Sequence, residues 1–196
     1  MPRLIDHAER DREIGDAAWR VLAREGLAGL SVRKVADEAG LATASLRRAF
    51  PTQAALRSFC LDRIQQVVGD RIRAHSGEGL PLVRAVLREV LPLDETRRAE
   101  MIVQMQLGSL ALTDASLQES VRQLSDGVRR VCVLALGELA RSGAAGAMTD
   151  AEAEAEADRL HALLDGLALQ LLWSREPDEA ARVAAVLDRH LATLAG

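Results

Sequence analysis

The sequence has few of the residues from which disulfide frameworks, metal sites and aromatic cores are built. Its 196 residues include two cysteines, Cys60 and Cys132, and aromatic residues make up 2% of the chain, with no tyrosine. Two cysteines provide no disulfide framework and no metal-ligand spacing, so we expect two reduced, packed thiols. The N-terminus lacks the apolar core of a signal peptide, and no apolar run reaches roughly 18 residues. We therefore predict a cytoplasmic protein with no membrane partner.

Recognisable catalytic and cofactor motifs are absent as well. The sequence shows no Ser-His-Asp arrangement, no glycine-rich phosphate loop and no zinc-ligand spacing. His161 and Asp165 lie four residues apart on one face of a predicted helix and could form part of a catalytic or metal site. Because that helix is predicted to lie at a dimer interface, we interpret the pair as a buried hydrogen bond or as a polar pair that sets the register of the interface. We predict no enzyme activity, no metal and no cofactor.

The residues that are abundant, alanine, leucine, arginine and glutamate, favour an all-α fold. The net charge of −4 is distributed unevenly along the chain. Residues 1–57 carry ten basic and eight acidic side chains, whereas the remainder carries fifteen and twenty-one. A basic N-terminal region on an acidic body is typical of a protein that directs DNA to one part of its surface.

The segment 30–56 has the spacing of a helix-turn-helix. Apolar residues at helical intervals predict two short helices, the first with Val32, Val35, Ala36 and Ala39, the second with Leu41, Leu46 and Phe50. Gly40 provides the left-handed turn between them, and Pro51 ends the second helix. The small Ala36 lets the helices cross closely. The second helix carries a polar, basic face that fits a major groove, formed by Thr43, Ser45, Arg47 and Arg48.

Helical periodicity continues through the rest of the chain. The pattern predicts helices over 8–25, 53–75, 81–91, 95–112, 116–141 and 177–194, and one that begins at Thr149. The pairs Ser116–Glu119 and Thr149–Glu152 have the spacing of capping boxes. The last two helices are more apolar than the surface of a monomer usually is, which predicts a symmetric four-helix dimer interface. Its predicted residues are Leu160, Leu164, Leu167, Leu171, Val183, Leu187 and Leu191.

The segment IGDAAWRVLAREGLAGLSVRKVADEAGLATASLRRAFPTQAAL, residues 14–56, resembles the TetR family of one-component repressors. The segment RLHALLDGLALQLLW also resembles the BetI-type branch of that family. The resemblance implies a DNA-binding domain of three helices over residues 1–52 and a larger helical ligand-binding and dimerisation domain over 53–196. It further implies a homodimer that binds a pseudo-palindromic operator in double-stranded DNA and is released by a small-molecule effector.

The resemblance also assigns site residues. The implied DNA contacts are Arg33, Lys34, Thr43, Ala44, Ser45, Arg47, Arg48, Thr52 and Gln53. Two of them depart from the family pattern, since Arg47 stands where an aromatic residue is usual and Gln53 where a lysine is usual. The candidate ligand-binding residues are Phe59, Met101, Gln104, Met105, Leu107, Leu136 and Trp173. The scarcity of aromatic residues predicts an aliphatic pocket with few polar anchors.

Two other classes of function remain open at this point. A helical interaction protein could keep the fold without binding DNA, and Gln53 together with the modest N-terminal charge favours that alternative. An all-α enzyme would require a conversion that survives the combined replacement of Arg33 and Arg47 by alanine.

Overall fold

The structure, a computed structural model, describes residues 7–144, 146, 148–174 and 176–194. Within these residues the chain forms nine α-helices, one short 3-10 turn and no strand, which confirms the all-α prediction. The helices are α1 His7–Gly29, α2 Val32–Ala39, α3 Thr43–Ala49, α4 Gln53–Ala74, α5 Gly79–Arg88, α6 Glu95–Ala111, α7 Gln118–Arg141, α8 Asp150–Trp173 and α9 Glu179–Leu194. Among the described helices, none combines the length and the apolar character that crossing a bilayer requires.

The chain divides into two compact units. Unit 1 comprises residues up to 64 together with 103–121, and unit 2 comprises 65–102 together with 122–196. The boundary that we predicted between residues 52 and 53 coincides with the start of α4 and lies inside unit 1. The assignment of DNA binding to residues 1–52 and of ligand binding and dimerisation to residues 53–196 remains a prediction.

Unit 1 contains the helix-turn-helix. α1 packs against α2, and α2 packs against α3. The side chains at their contact are fully buried, Ile14, Ala17, Val21, Val35, Ala36 and Leu46 among them. Gly40 adopts φ 66°, and its N–H bonds back to the carbonyls of Ala36 and Asp37, which closes α2 in the way the sequence predicts. Gly26, also at φ 66°, kinks α1 where we expected that helix to end.

Unit 2 has its own core, to which α8 and α9 contribute one buried face each. The seven residues predicted at a dimer interface all lie in this core, with exposed fractions between 0% and 5%. Such side chains have no remaining surface to bury against a second chain, so the interface assignment of Leu160, Leu164, Leu167, Leu171, Val183, Leu187 and Leu191 is corrected here. Helical periodicity identifies an apolar face, but it does not tell whether the same chain covers that face.

One predicted capping box is confirmed and the other is wrong. The Thr149 N–H donates to the Glu152 carboxylate over 2.8 Å, and the Glu152 N–H donates to the Thr149 hydroxyl over 3.3 Å. At the start of α7, Asp114 instead caps a 3-10 turn, Ala115–Leu117, by accepting from the Ser116 N–H over 3.1 Å. The helix therefore begins at Gln118, two residues later than predicted.

Candidate nucleic-acid interface

α3 presents its polar face from a firmly packed position. Leu46 is 0% exposed, which fixes the helix in the module, while Ala44, Arg47 and Arg48 are exposed. Neither Arg47 nor Arg48 forms an ion pair or a side-chain hydrogen bond within the described ranges. Their guanidinium groups are therefore available to phosphates or to guanine edges.

The predicted contacts Thr43 and Ser45 are less accessible than the two arginines. Both side chains are half-buried, and the Ser45 Oγ accepts a hydrogen bond of 2.6 Å from the Nη2 of Arg10 in α1. Sequence reasoning did not identify Arg10 as part of this site. The sequence pattern that could have identified Arg10 is its position four residues before Ile14, which places both residues on the same face of α1.

Carboxylates lie beside both cations of α2. The Lys34 ammonium contacts the Glu25 carboxylate, and the Arg33 Nε lies 3.9 Å from Asp37. The hydrogen bond from Lys34, followed by that from Arg24, lowers the pKa of Glu25, so this carboxylate is ionised at neutral pH. Arg24 also bonds Glu38 over 3.0 Å, which extends the charge network between α1 and α2.

Thr52 and Gln53 are engaged within the protein. The Thr52 hydroxyl accepts from the Ala55 N–H over 3.0 Å at the start of α4. The half-buried amide of Gln53 donates to the Leu30 carbonyl over 2.5 Å. The Gln53 side chain thus connects α4 to the segment that precedes α2 and stabilises their packing. A lysine at this position could make the same contact only by donating from its ammonium group.

The residues predicted to bind a ligand occupy very different environments. In unit 1, Leu107 is 0% exposed, Met105 is exposed, Gln104 is half-buried, and the ring of Phe59 lies 4.9 Å from that of Phe50. In unit 2, Leu136 is buried in the core, half-buried Met101 packs against that core, and Trp173 is 79% exposed. Their shared role in a pocket remains a prediction.

Unit 2 contains an open cleft of about 460 Å³ that none of the seven predicted ligand residues lines. Its polar lining includes four carboxylates, Asp94, Glu95, Glu176 and Glu179. The Arg98 guanidinium also lines the cleft but donates to the carbonyls of Leu171 and Leu172 at the end of α8. Arg98 keeps its charge in these bonds, and Asp94 and Glu179 are paired with Arg97 and Arg182. Glu95 and Glu176 are the lining carboxylates without an ion pair among the described residues.

Several other charged groups in unit 2 are paired as well. Arg71 bonds both oxygens of the buried Glu100 carboxylate over 2.8 Å, and it bonds Glu89 over 3.0 Å. The His161 Nε2 lies 3.6 Å from the Asp165 carboxylate, an ion-pair distance that is too long for the predicted hydrogen bond. The alternative, a polar pair that sets the register of an interface, stays a prediction. Burial raises the pKa of the Cys132 thiol to about 12, and that of Cys60 likewise. Among the described residues, no three His, Cys, Asp or Glu side chains are grouped to hold a metal ion.

An exposed basic helix in a packed helix-turn-helix, followed in the chain by a larger helical region, defines a DNA-binding transcriptional regulator. The model of bacterial regulatory proteins of the tetR family matches residues 14–58, and that of the BetI-type transcriptional repressor C-terminal region matches residues 81–196. The chain therefore belongs to the TetR family, which confirms the resemblance seen in the sequence.

Similar proteins cover nearly the whole chain. The regulator PksA of Bacillus subtilis (strain 168) is 31% identical over 199 residues, which is 99% of this chain and 94% of PksA. A transcriptional regulator from Rhodococcus sp. Rha1 is 27% identical, with a TM-score of 0.75 over 94% of this chain and 95% of its own. The multidrug binding protein EbrR, solved in complex with ethidium, is 28% identical, with a TM-score of 0.67 over 92% of this chain and 97% of its own.

Proposed function

We propose that this chain is a homodimeric repressor that binds a pseudo-palindromic operator and releases it when a small molecule binds. The observation that carries the proposal is the state of α3: two exposed arginines, with no partner among the residues that the structure describes, project from a helix whose Leu46 is fully buried. A rigid helix that presents unpaired cations can enter a major groove without first breaking internal ion pairs. Membership of the TetR family supports the same function.

The outward faces of α8 and α9 support a dimer. On α8 this face carries Ala162, Gly166, Leu169 and Trp173, and on α9 it carries Ala181, Ala185 and Ala192. These residues lie opposite the leucines and valines of the core. Small side chains allow two helix pairs to approach closely, and the exposed Trp173 provides a large apolar anchor. We therefore move the proposed interface from the buried faces of these helices to the exposed ones.

Release of DNA requires an effector that distinguishes two conformations of the dimer. A ligand lowers operator affinity only by the difference between its own affinities for the two conformations. Two carboxylates of the unit 2 cleft, Glu95 and Glu176, have no ion pair among the described residues and favour an organic cation as the effector class. Hydrogen bonds from Arg97 lower the pKa of Asp94 and those from Arg182 lower the pKa of Glu179, so both are charged at neutral pH and already paired within the protein. The complex of EbrR with ethidium, an aromatic cation, is consistent with this class.

Two experiments test the proposal in order. The full-length protein is first used to select binding fragments from sheared genomic DNA, and we expect enrichment of a short sequence with two-fold symmetry. Operator affinity is then measured with benzyltrimethylammonium and with its neutral isostere neopentylbenzene. We expect the cation to lower affinity by at least about fivefold, the weak end of allosteric coupling, and the neutral compound to have no effect. Equal effects of both compounds would contradict the cationic class.

A helical interaction protein that has lost DNA binding remains the second candidate. It is favoured by the state of two predicted DNA contacts, since Lys34 is paired with Glu25 and Gln53 is bonded to Leu30. This alternative predicts that the genomic selection enriches no sequence.

A further inference from the structure

We infer that Arg10 is a positioning residue for sequence recognition: its guanidinium orients the Ser45 hydroxyl as a donor toward an acceptor on a base edge. The inference rests on the proposed function, because it concerns how α3 reads DNA. Arg10 lies near the start of α1 and Ser45 lies within α3, and the Arg10 Nη2 donates to the Ser45 Oγ over 2.6 Å. The contact joins the two helices directly at the face predicted to enter the groove.

The direction of this hydrogen bond determines what Ser45 can do next. A serine hydroxyl has one proton and two lone pairs, whereas an arginine side chain has donors only. Because Arg10 occupies a lone pair of Ser45, the hydroxyl proton cannot be donated back to Arg10. Helical serines often donate to the carbonyl four residues earlier, here Leu41, but no such bond is present in the described part of the chain. The proton is therefore left for an acceptor outside the protein.

Suitable acceptors lie on the edges of bases in the major groove. Guanine offers N7 and O6, adenine N7 and thymine O4, whereas cytosine offers a donor at the corresponding position. Arg10 leaves Ser45 with its proton and one lone pair, and a contact in which the hydroxyl donates favours guanine, adenine or thymine over cytosine at that position. The adjacent positive charge of Arg10 also polarises the hydroxyl and makes it a stronger donor.

Packing holds both partners in place. Ile14, one turn after Arg10, is 2% exposed, and Leu46, next to Ser45, is 0% exposed. Arg10 and Ser45 are themselves half-buried. By contrast, Arg12 on the same helix is exposed and has no partner within the described residues, which makes it a matched control for the loss of one charge from α1.

The test uses full-length protein and the operator selected from genomic DNA, together with all single-base-pair variants of that operator. Arg10→Met, Ser45→Ala, the double variant, Arg10→Lys and Arg12→Met are compared. We expect Arg10→Met and Ser45→Ala each to lose between about threefold and about tenfold in affinity per half-site, the value of one hydrogen bond. Both are expected to lose preference at the same base pair, and the double variant to lose no more than either single one. Arg10→Lys, which keeps a donor, restores the preference, and Arg12→Met retains it.

Three results would overturn the inference. If Arg10→Met lost the same factor of affinity on every DNA sequence, and the slope of its affinity against salt fell by about one per half-site, Arg10 would contact phosphate. Additive losses at different base pairs would show that the two residues act separately, and an unchanged base preference in Arg10→Met would show no role in readout. Failure of the proposed function is distinguishable, because the unmodified protein would then select no operator. Melting temperatures of all variants identify any loss due to unfolding.

Discussion

At the scale of single residues, the cations of the helix-turn-helix differ in what their charges already contact. Arg47 and Arg48 have no ionic partner in the described part of the chain, Lys34 is paired with Glu25, and Arg10 is bonded to Ser45. A paired cation must exchange its carboxylate for a phosphate when DNA binds, whereas a free one adds its charge directly. Equal formal charges therefore make unequal contributions to binding.

Replacement of Arg47 by alanine tests direct readout. If Arg47 contacts a guanine edge, Arg47→Ala weakens operator binding by about 1–3 kcal/mol per half-site and relaxes preference at one base pair. Affinity for the operator and its single-base variants provides the measurement. Arg12→Ala removes the same charge from an exposed site on α1 and serves as the control. A uniform loss over unrelated sequences would assign Arg47 to phosphate alone.

Glu25 is expected to weaken DNA binding by competing with phosphate for Lys34. Glu25→Gln removes the competing charge, so we predict tighter binding and a salt dependence steeper by about 0.9 per half-site, the value of one additional phosphate contact. Titration of operator binding at several salt concentrations measures both. Glu13→Gln makes the same change in net charge at an exposed site on α1. If the two variants bind alike, the Lys34–Glu25 pair has no specific effect on the affinity.

At the scale of helices, the sequence correctly predicted helix ends and caps where all the interacting groups are close along the chain. Gly40 and Pro51 correctly bounded the helices around the turn, and the Thr149–Glu152 pair forms the capping box that its spacing predicts. The Ser116–Glu119 pair has the same spacing but forms no such box, because Asp114 two residues earlier accepts from the Ser116 N–H and hydroxyl. The spacing of a capping box does not show whether a neighbouring residue, here Asp114, engages the capping side chain instead.

The capping box of α8 can be tested by a single substitution. Thr149→Ala leaves the N–H of Glu152 without its acceptor, and we expect the free energy of unfolding to fall by about 1 kcal/mol. Urea denaturation followed by circular dichroism measures this change. Ser125→Ala, at an exposed site within α7, is expected to have no destabilising effect. An equal effect of both substitutions would contradict the stabilising role of the cap.

At the scale of the whole molecule, the sequence correctly indicated the family and the all-α fold, but not which surfaces remain free. Leu160 and Val183 fit a dimer face by periodicity and are nevertheless in the core of unit 2. The contact between Arg10 and Ser45 joins positions 35 residues apart, so no local pattern reveals it. Both cases depend on tertiary packing, which a single sequence does not encode in short-range spacing.

The proposed dimer interface is tested by a charge at its apolar anchor. Trp173 is 79% exposed in the single chain, so Trp173→Glu is expected to leave the fold intact and to shift a micromolar dimer toward monomer. Sedimentation velocity measures the shift, and circular dichroism checks the fold. Leu112→Glu places the same charge at another exposed apolar site and is expected to remain dimeric. A Trp173→Glu variant that stays dimeric would place the interface elsewhere, and a monomeric unmodified protein would refute the dimer.

The central claim, that the chain is an operator-binding repressor, is tested most directly with DNA from upstream of its own gene. Binding of the full-length protein to that fragment and to an unrelated one is titrated over a range of salt concentrations. The proposed function predicts tight, selective binding whose affinity falls steeply with salt, because exposed cations such as Arg47 and Arg48 displace counterions from phosphates. Equally weak binding to both fragments, followed by a genomic selection that enriches no sequence, would contradict it.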